Sequence, residues 1–199
     1  MPSLLQSPAL YDEGQVHLEK VTATLLQLIQ DKNYRLYTHS IQVANYAVSC
    51  AAKMGLPRDE IQHIRYAALL HDIGKILLPN NIIDKPIAFL SKTERSRLKQ
   101  CIAMGSNILE SYPSCQRIIP YIAYHRENWD GSGYPKHLRG DNIPLGARII
   151  AIADYYDTIV NPSTESWAKT KKEAKQEIYS ASGILFDPDV VRTFISILG

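Results

Sequence analysis

The chain has 199 residues, and its 22 Lys+Arg against 20 Asp+Glu leave a formal charge of only +2. That balance excludes a broad electrostatic nucleic-acid surface, which would carry a large basic excess, so no DNA partner is expected. With 45% hydrophobic and 21% charged residues, the composition excludes a disordered chain and suits one globular domain with a sizeable core. After a loose leader, Leu18, Val21, Leu25, Leu28 and Ile29 recur at helical spacing and predict a first helix. Ile41, Ala44, Val48 and Ala51 predict a second, which stops at Gly55. Pro57, Asp59 and Glu60 open a third, since proline has no N–H to leave unpaired and acids suit the helix dipole. Its apolar face, Ile61, Ile64, Ala67, Ala68 and Leu70, runs into His71-Asp72-Ile73-Gly74-Lys75.

A loop with Asn80, Asn81, Lys85 and Pro86 is expected next. Ser91-Lys92-Thr93-Glu94 then reads as a capping box that opens a helix with Leu98, Ile102, Gly105, Ile108 and Leu109 on one face. Pro120 starts or kinks the following helix, which ends near His125. Residues 129–145 form one long irregular stretch, of the kind that usually carries function. Pro144 opens an apolar helix through Asp154 and Asp157, and two shorter helices, near 169–181 and 188–198, finish the chain. No stretch alternates like a strand, so the expectation is an all-α bundle of about eight helices. Residues 1–30 are read as leader and first helix, and 31–199 as the domain itself.

Three cysteines, Cys50, Cys101 and Cys115, with no Cys-x-x-Cys pair, make no disulfide framework and suggest a reducing, cytoplasmic setting. Residues 1–10 lack the positive start and long apolar centre of a secretory signal. The strongest later apolar window, Ala147 to Ala153, is interrupted by Arg148 and falls far short of the ~20 residues of a membrane span.

His71 and Asp72 are the most informative residues. An imidazole and a carboxylate at a helix end can turn toward one point, and together they suit Mn, Fe, Zn or Mg. An isolated His-Asp pair is more often a buried histidine satisfied by its neighbour. Here His39 lies on the preceding helix, and Asp154 interrupts the apolar run Ile149-Ile150-Ala151-Ile152-Ala153. A carboxylate in such a run must be paired or metal-bound, because an unpaired buried charge is very costly. Asp157, one turn later, is placed to orient a ligand, and Lys75, three residues after Asp72, to set an ammonium beside a phosphate.

His71-Asp72-Ile73-Gly74-Lys75 resembles the signature of HD-domain metal-dependent phosphohydrolases. Trp129-Asp130-Gly131-Ser132-Gly133-Tyr134-Pro135 resembles the extended motif of their HD-GYP subfamily. The flanking Lys85-Pro86, Ile143-Pro144-Leu145, Ala147-Arg148-Ile149, Ala153-Asp154 and Phe186-Asp187-Pro188 fit the same pattern, so the likeness runs from His39 to the C-terminus. It implies a helical bundle that holds divalent metal and hydrolyses a cyclic dinucleotide, cyclic di-GMP to pGpG or GMP. Carried over by position, His39, His71, Asp72 and Asp154 match one metal centre, with Asp72 bridging to a second. Lys75 matches the lysine that contacts phosphate, which gives Asp72 and Lys75 catalytic roles. Gly133 and Tyr134 either line the substrate pocket or shape its wall.

The second centre departs from the pattern. Cys101 stands where the family usually has histidine, and His125-Arg126-Glu127 where it has two histidines before the acid. That leaves His125 and Cys101 as the protein ligands available to a second metal. Cys101 shares a helix face with Leu98, Ile102 and Gly105, so packing is its simpler role. Arg126 cannot ligate a metal. It either turns inward, pairs with Asp72 or Glu127 and replaces the second ion electrostatically while steadying phosphate, or swings to solvent. After Asp157, where the resemblance implies a basic phosphate-holding stretch, the chain reads Asn161-Pro162-Ser163-Thr164-Glu165-Ser166, with no cation.

Two functions follow from this pattern. One is a phosphohydrolase with impaired activity and one intact metal centre. The other is an inactive signalling module, with Trp129 and Tyr134 as exposed aromatics on a glycine-rich loop. Such a module would bind cyclic di-GMP or another nucleotide, or a protein partner such as a diguanylate cyclase domain, and the first helix offers a face for docking or homodimerisation.

Overall fold

The structure, a computed structural model, describes residues 13–162 and 168–199. Asn33 breaks the first long helical run: its side chain accepts the Leu36 N–H and restarts the chain as a second helix. The two arms are α1 (Glu13–Lys32) and α2 (Tyr34–Lys53). Beyond Gly55 and Pro57 comes α3 (Arg58–Leu70), and a 3-10 turn, Ile73–Leu77, follows the His71-Asp72 corner. The remaining helices are α4 (Asn80–Ile83), α5 (Lys92–Glu110), α6 (Ile119–Tyr124), α7 (Leu145–Val160), α8 (Lys171–Ser180) and α9 (Pro188–Ile197). The described residues are all-α apart from one isolated bridge, Ser182 to Phe186. No helix among them is long and apolar enough to cross a membrane.

The expected bundle of about eight helices is present with one addition. Asn80–Ile83 forms a single helical turn where the sequence suggested only loop, because Pro79 accepts from Ile82 and Ile83 and closes it. Leu28, expected on the buried face of α1, is exposed, while Leu18, Val21, Leu25 and Ile29 enter the core. In α2 the buried face is carried by Leu36, Val43, Ala44, Ala47, Cys50 and Ala51, leaving Ile41 and Val48 at its margin. Small residues dominate that face, and they let α3 and α7 lie close against it.

α7 is the central element. Ile149, Ile150, Ile152, Ala153 and Tyr156 are all buried, and so are Asp154 and Asp157 on the same helix. One main core joins α1, α2, α3, α6, α7, α8 and α9, and a smaller one gathers Leu78, Ile82, Leu90 and Cys101 under α5. The Ser91–Glu94 capping box forms as expected. Gly74 then docks α5 on the 3-10 turn, since a Cβ there would lie 1.8 Å from the Cys101 carbonyl oxygen. Only glycine permits that approach.

The irregular stretch before α7 is pinned from both sides. Trp129 and Asp130 donate their N–H groups to Leu185 and Ile184, and Gly140 donates to the Trp129 carbonyl. Neither aromatic of this loop is fully exposed: Trp129 and Tyr134 are half-buried, and the Arg148 guanidinium lies 5.5 Å from the Trp129 ring. Arg148 also reaches Asp187 at 2.6 Å, whose other oxygen caps the start of α9.

Candidate metal centre

Two helices end at histidines, and both endings do the same work. His71 closes α3 and hydrogen-bonds through Nδ1 to the Ala68 carbonyl at 2.7 Å; His125 closes α6 and reaches Ile122 in the same way at 2.7 Å. Each Nδ1–H satisfies a helix-end carbonyl, which fixes the tautomer and leaves the Nε2 lone pair for another partner. His39, on α2, has its Nδ1 held by Asp157 at 2.6 Å, so its Nε2 is likewise turned away from its anchor.

The Nε2 atoms of His39 and His71 converge on Asp72 and Asp154. His39 Nε2 lies 3.1 Å from Asp154 Oδ1 and 3.9 Å from Asp72 Oδ2. His71 Nε2 lies 3.2 Å from Asp72 Oδ2 and 3.8 Å from Asp154 Oδ1. One ligand atom from each of His39, His71, Asp72 and Asp154 falls within 4.8 Å of the others. That span is slightly more than twice a metal–ligand bond of roughly 2.0–2.3 Å, so a small contraction brings all four onto one ion. Buried atoms without a hydrogen-bond partner cluster in the same place: His71 Nε2, Asp72 Oδ1, His125 Nε2 and Arg126 Nε. Three nitrogens or oxygens with free lone pairs inside a protein are costly unless something electropositive meets them, and the donor set fits a divalent metal.

The two oxygens of Asp72 face different surroundings. Oδ2 belongs to the four-ligand group and also accepts from Lys75 Nζ at 2.5 Å. Oδ1 faces Arg126, whose Nη2 lies 3.9 Å away, while Nη1 of the same guanidinium sits 2.9 Å from Asp154 Oδ2. Arg126 thus turns inward, and its partners are Asp154 and Asp72. Glu127, the other partner the sequence suggested, is used elsewhere: its carboxylate accepts the backbone N–H groups of Lys136 at 2.6 Å and Leu138 at 3.2 Å.

The electrostatics follow from these neighbours. Burial alone would raise the Asp72 carboxyl, but Lys75, His71 and Arg126 outweigh it and hold it well below the usual carboxylate range. Asp154 is likewise lowered despite its burial, by Arg126, His39 and His71. Burial works against a charged His39, yet Asp154, Asp157 and Asp72 raise it to about 9. His125 goes the other way: burial, then Arg126 and His71, push it down to about 3, so it stays neutral.

His125 stands at the edge of this group, its ring centroid 5.2 Å from that of His71. Cys101 is buried in the small core with Leu78, Ile82 and Leu90, and burial pushes its thiol up. Gly133 is buried against the loop's own backbone, where a Cβ would meet Asn128 N at 2.2 Å, and the turn lets Tyr134 donate its N–H to Arg126 O. Of the polar stretch after Asp157, residues 163–167 lie outside the described residues, as do residues 1–12 of the leader.

Some partners were not singled out from the sequence. Asn161 donates to Asp157 Oδ1 at 2.8 Å, and its spacing of one turn along α7 is the signal that would have found it. Lys99 Nζ lies 4.8 Å from the Tyr134 ring centroid, a pairing across 35 positions that no local pattern announces.

The profile of the HD domain family matches residues 23–190. A cyclic di-GMP phosphodiesterase of Thermotoga maritima is 34% identical over 94% of this chain and 51% of its own length. A 3'3'-cGAMP-specific phosphodiesterase of Vibrio cholerae is 31% identical over 89% of this chain and 34% of its own. The chain therefore spans about half the length of one relative and a third of the other. An HDG"Y"P protein from Bdellovibrio bacteriovorus superimposes with a TM-score of 0.69 over 96% of this chain and 74% of that one. At 17% identity that last likeness speaks for the fold. With its His71-Asp72 corner and its helical architecture, the chain belongs to the HD-domain family.

Proposed function

We propose that this chain is a phosphohydrolase of cyclic dinucleotides that works through one divalent metal held by His39, His71, Asp72 and Asp154. The observation that carries the reading is the convergence of those four ligand atoms, with both imidazoles anchored through Nδ1 so that Nε2 faces the carboxylates. A divalent ion bound there supplies a Lewis acid for a phosphoryl oxygen and lowers the pKa of water. The charge count suits such an ion. Asp72, Asp154 and Asp157 against Lys75 and Arg126 leave one net negative charge, and one divalent ion makes it one net positive, ready for an anionic phosphodiester.

The side chains divide the remaining work. Asp72 fixes Lys75, whose other N–H groups are free to donate to phosphate oxygens. Arg126 lies across Asp72 Oδ1 and Asp154 Oδ2 and takes the place of a second cation there. Its guanidinium is a permanent charge that repels another ion, so His125 and Cys101 hold no second metal, and transition-state charge is met by one ion and fixed cations instead of two ions. Losing a Lewis acid costs several kcal/mol, and each 1.36 kcal/mol is about tenfold in rate, which makes slow turnover the expectation. Tyr134 forms the loop wall that the dinucleotide meets, and buried Gly133 shapes the turn behind it.

Arg126 also favours a second reading, a module that binds cyclic di-GMP or a diguanylate cyclase domain without cleavage, because its pairing with Asp154 competes with metal loading. One set of measurements separates the two. The purified chain is loaded with Mn, Fe(II) or Mg, its metal content is counted, and it is incubated with cyclic di-GMP. Slow cleavage, one ion per chain and loss of cleavage in Asp72→Ala support the enzyme. Tight binding of intact dinucleotide supports the module, and two stoichiometric ions overturn the role given to Arg126.

A further inference from the structure

A cyclic dinucleotide carries two phosphodiesters, and the centre with Lys75 and Arg126 accommodates the one to be cleaved. Its other phosphate needs a cation beyond these two, and α5 offers one that no pattern in the sequence marked. Lys99 projects from α5, two residues before Cys101, whose carbonyl abuts Gly74. That contact fixes α5 on the same turn that carries Lys75, so the two lysines leave one rigid junction. Lys99 is exposed, and its ammonium rests 4.8 Å from the ring centroid of half-buried Tyr134. Tyr134 is in turn tied to the centre through its backbone N–H, which donates to the carbonyl of Arg126, the residue whose guanidinium sits 2.9 Å from Asp154 Oδ2. Tyr134 therefore links Lys99 to the residue that reaches Asp154.

An exposed ammonium parked on an aromatic ring is weakly held, by about 0.5–1 kcal/mol, and keeps N–H donors for another partner. A phosphate offers it a stronger, charge-assisted hydrogen bond. Resting on the phosphohydrolase reading above, we propose that Lys99, positioned by Tyr134, is the anion subsite for the uncleaved phosphodiester and makes the site select dinucleotides over mononucleotide phosphodiesters.

The test measures dissociation constants by calorimetry on the metal-loaded chain, with cyclic di-GMP and cyclic GMP, both as phosphorothioates to slow cleavage. Lys99→Ala is expected to weaken cyclic di-GMP binding about tenfold and to shrink its advantage over cyclic GMP by the same factor, with Lys99→Arg restoring both. The assignment is overturned if Lys99→Ala weakens both ligands alike or neither. Wild-type chain that binds no cyclic di-GMP at all overturns the phosphohydrolase reading and this subsite with it. Wild-type binding with no difference in the variant removes the subsite alone.

Discussion

Arg126 puts a charge that no accessible pH removes within 2.9 Å of a carboxylate that the proposed metal also needs. Metal and guanidinium therefore repel across Asp154, and removing the charge should help the ion. Arg126→Gln is expected to tighten Mn2+ binding at least tenfold, read by calorimetric titration of EDTA-treated protein; unchanged or weaker binding would show that the guanidinium is a support and not a competitor. Protonation of the histidines gives a second test in the metal-free chain. His39 titrates near 9 when folded, above its ordinary value of 6.5, so it adds stability that is complete below pH 6.5 and lost as pH rises through 9. His125 titrates near 3 when folded, so its contribution is present above pH 6.5 and lost as pH falls toward 3. Metal-free protein should be most stable near pH 6.5, with a slope on either side of at most about 1.4 kcal/mol per pH unit. Urea midpoints across pH 4–9.5 check this, and a flat profile above pH 6.5 would falsify the paired state of His39. A metal on Nε2 keeps His39 neutral, and the loss between pH 6.5 and 9 should then disappear.

The helices themselves were legible where a single chain segment decides them. Pro57, the Ser91–Glu94 box and Pro144 mark helix starts through rules that act within one turn, and all three stand where expected. Leu28 and α4 were not legible, because burial of one and closure of the other depend on which neighbour arrives. The four converging side chains, His39, His71, Asp72 and Asp154, could be read from the resemblance, and Asp154 also from its apolar surroundings. The inward turn of Arg126, the use of Glu127 as a peg for the loop and the meeting of Lys99 with Tyr134 are long-range choices that residue spacing does not encode. Element packing can be tested at Gly74. Gly74→Ala forces a Cβ into the Cys101 carbonyl, a backbone atom that cannot yield without moving α5. A loss of about 1–3 kcal/mol or more in urea is expected, together with weaker metal binding because the same turn carries Asp72 and Lys75. Ser91→Ala, which removes only the cap of α5, should cost about 1 kcal/mol and leave metal affinity in place. If the two variants behave alike, the Gly74 contact does not position the site.

At the scale of the molecule, the centre joins helices that are distant in sequence: His39 comes from α2, His71 and Asp72 from the end of α3, and Asp154 from α7. Those three helices pack on one another around the main core, and His71 Nε2 and Asp72 Oδ1 are left there without hydrogen-bond partners. An ion that binds the folded arrangement and not the separated helices must stabilise the fold in proportion to its affinity. At a free concentration of 100 times its dissociation constant the gain is about 2.7 kcal/mol, which for a domain of this size is a rise in Tm of roughly 5–11 °C. Mn2+ should therefore raise the Tm of EDTA-treated protein in a concentration-dependent way. Asp154→Asn should abolish that rise, since the amide offers no charge to the ion and also frees Arg126. Asp157→Asn is the more discriminating variant. It keeps all four ligand atoms but weakens the acceptor that turns His39, so its metal-dependent rise should be reduced without being lost, as expected when an orienting partner is changed. A full rise in Asp154→Asn would place the ion somewhere other than among these helices.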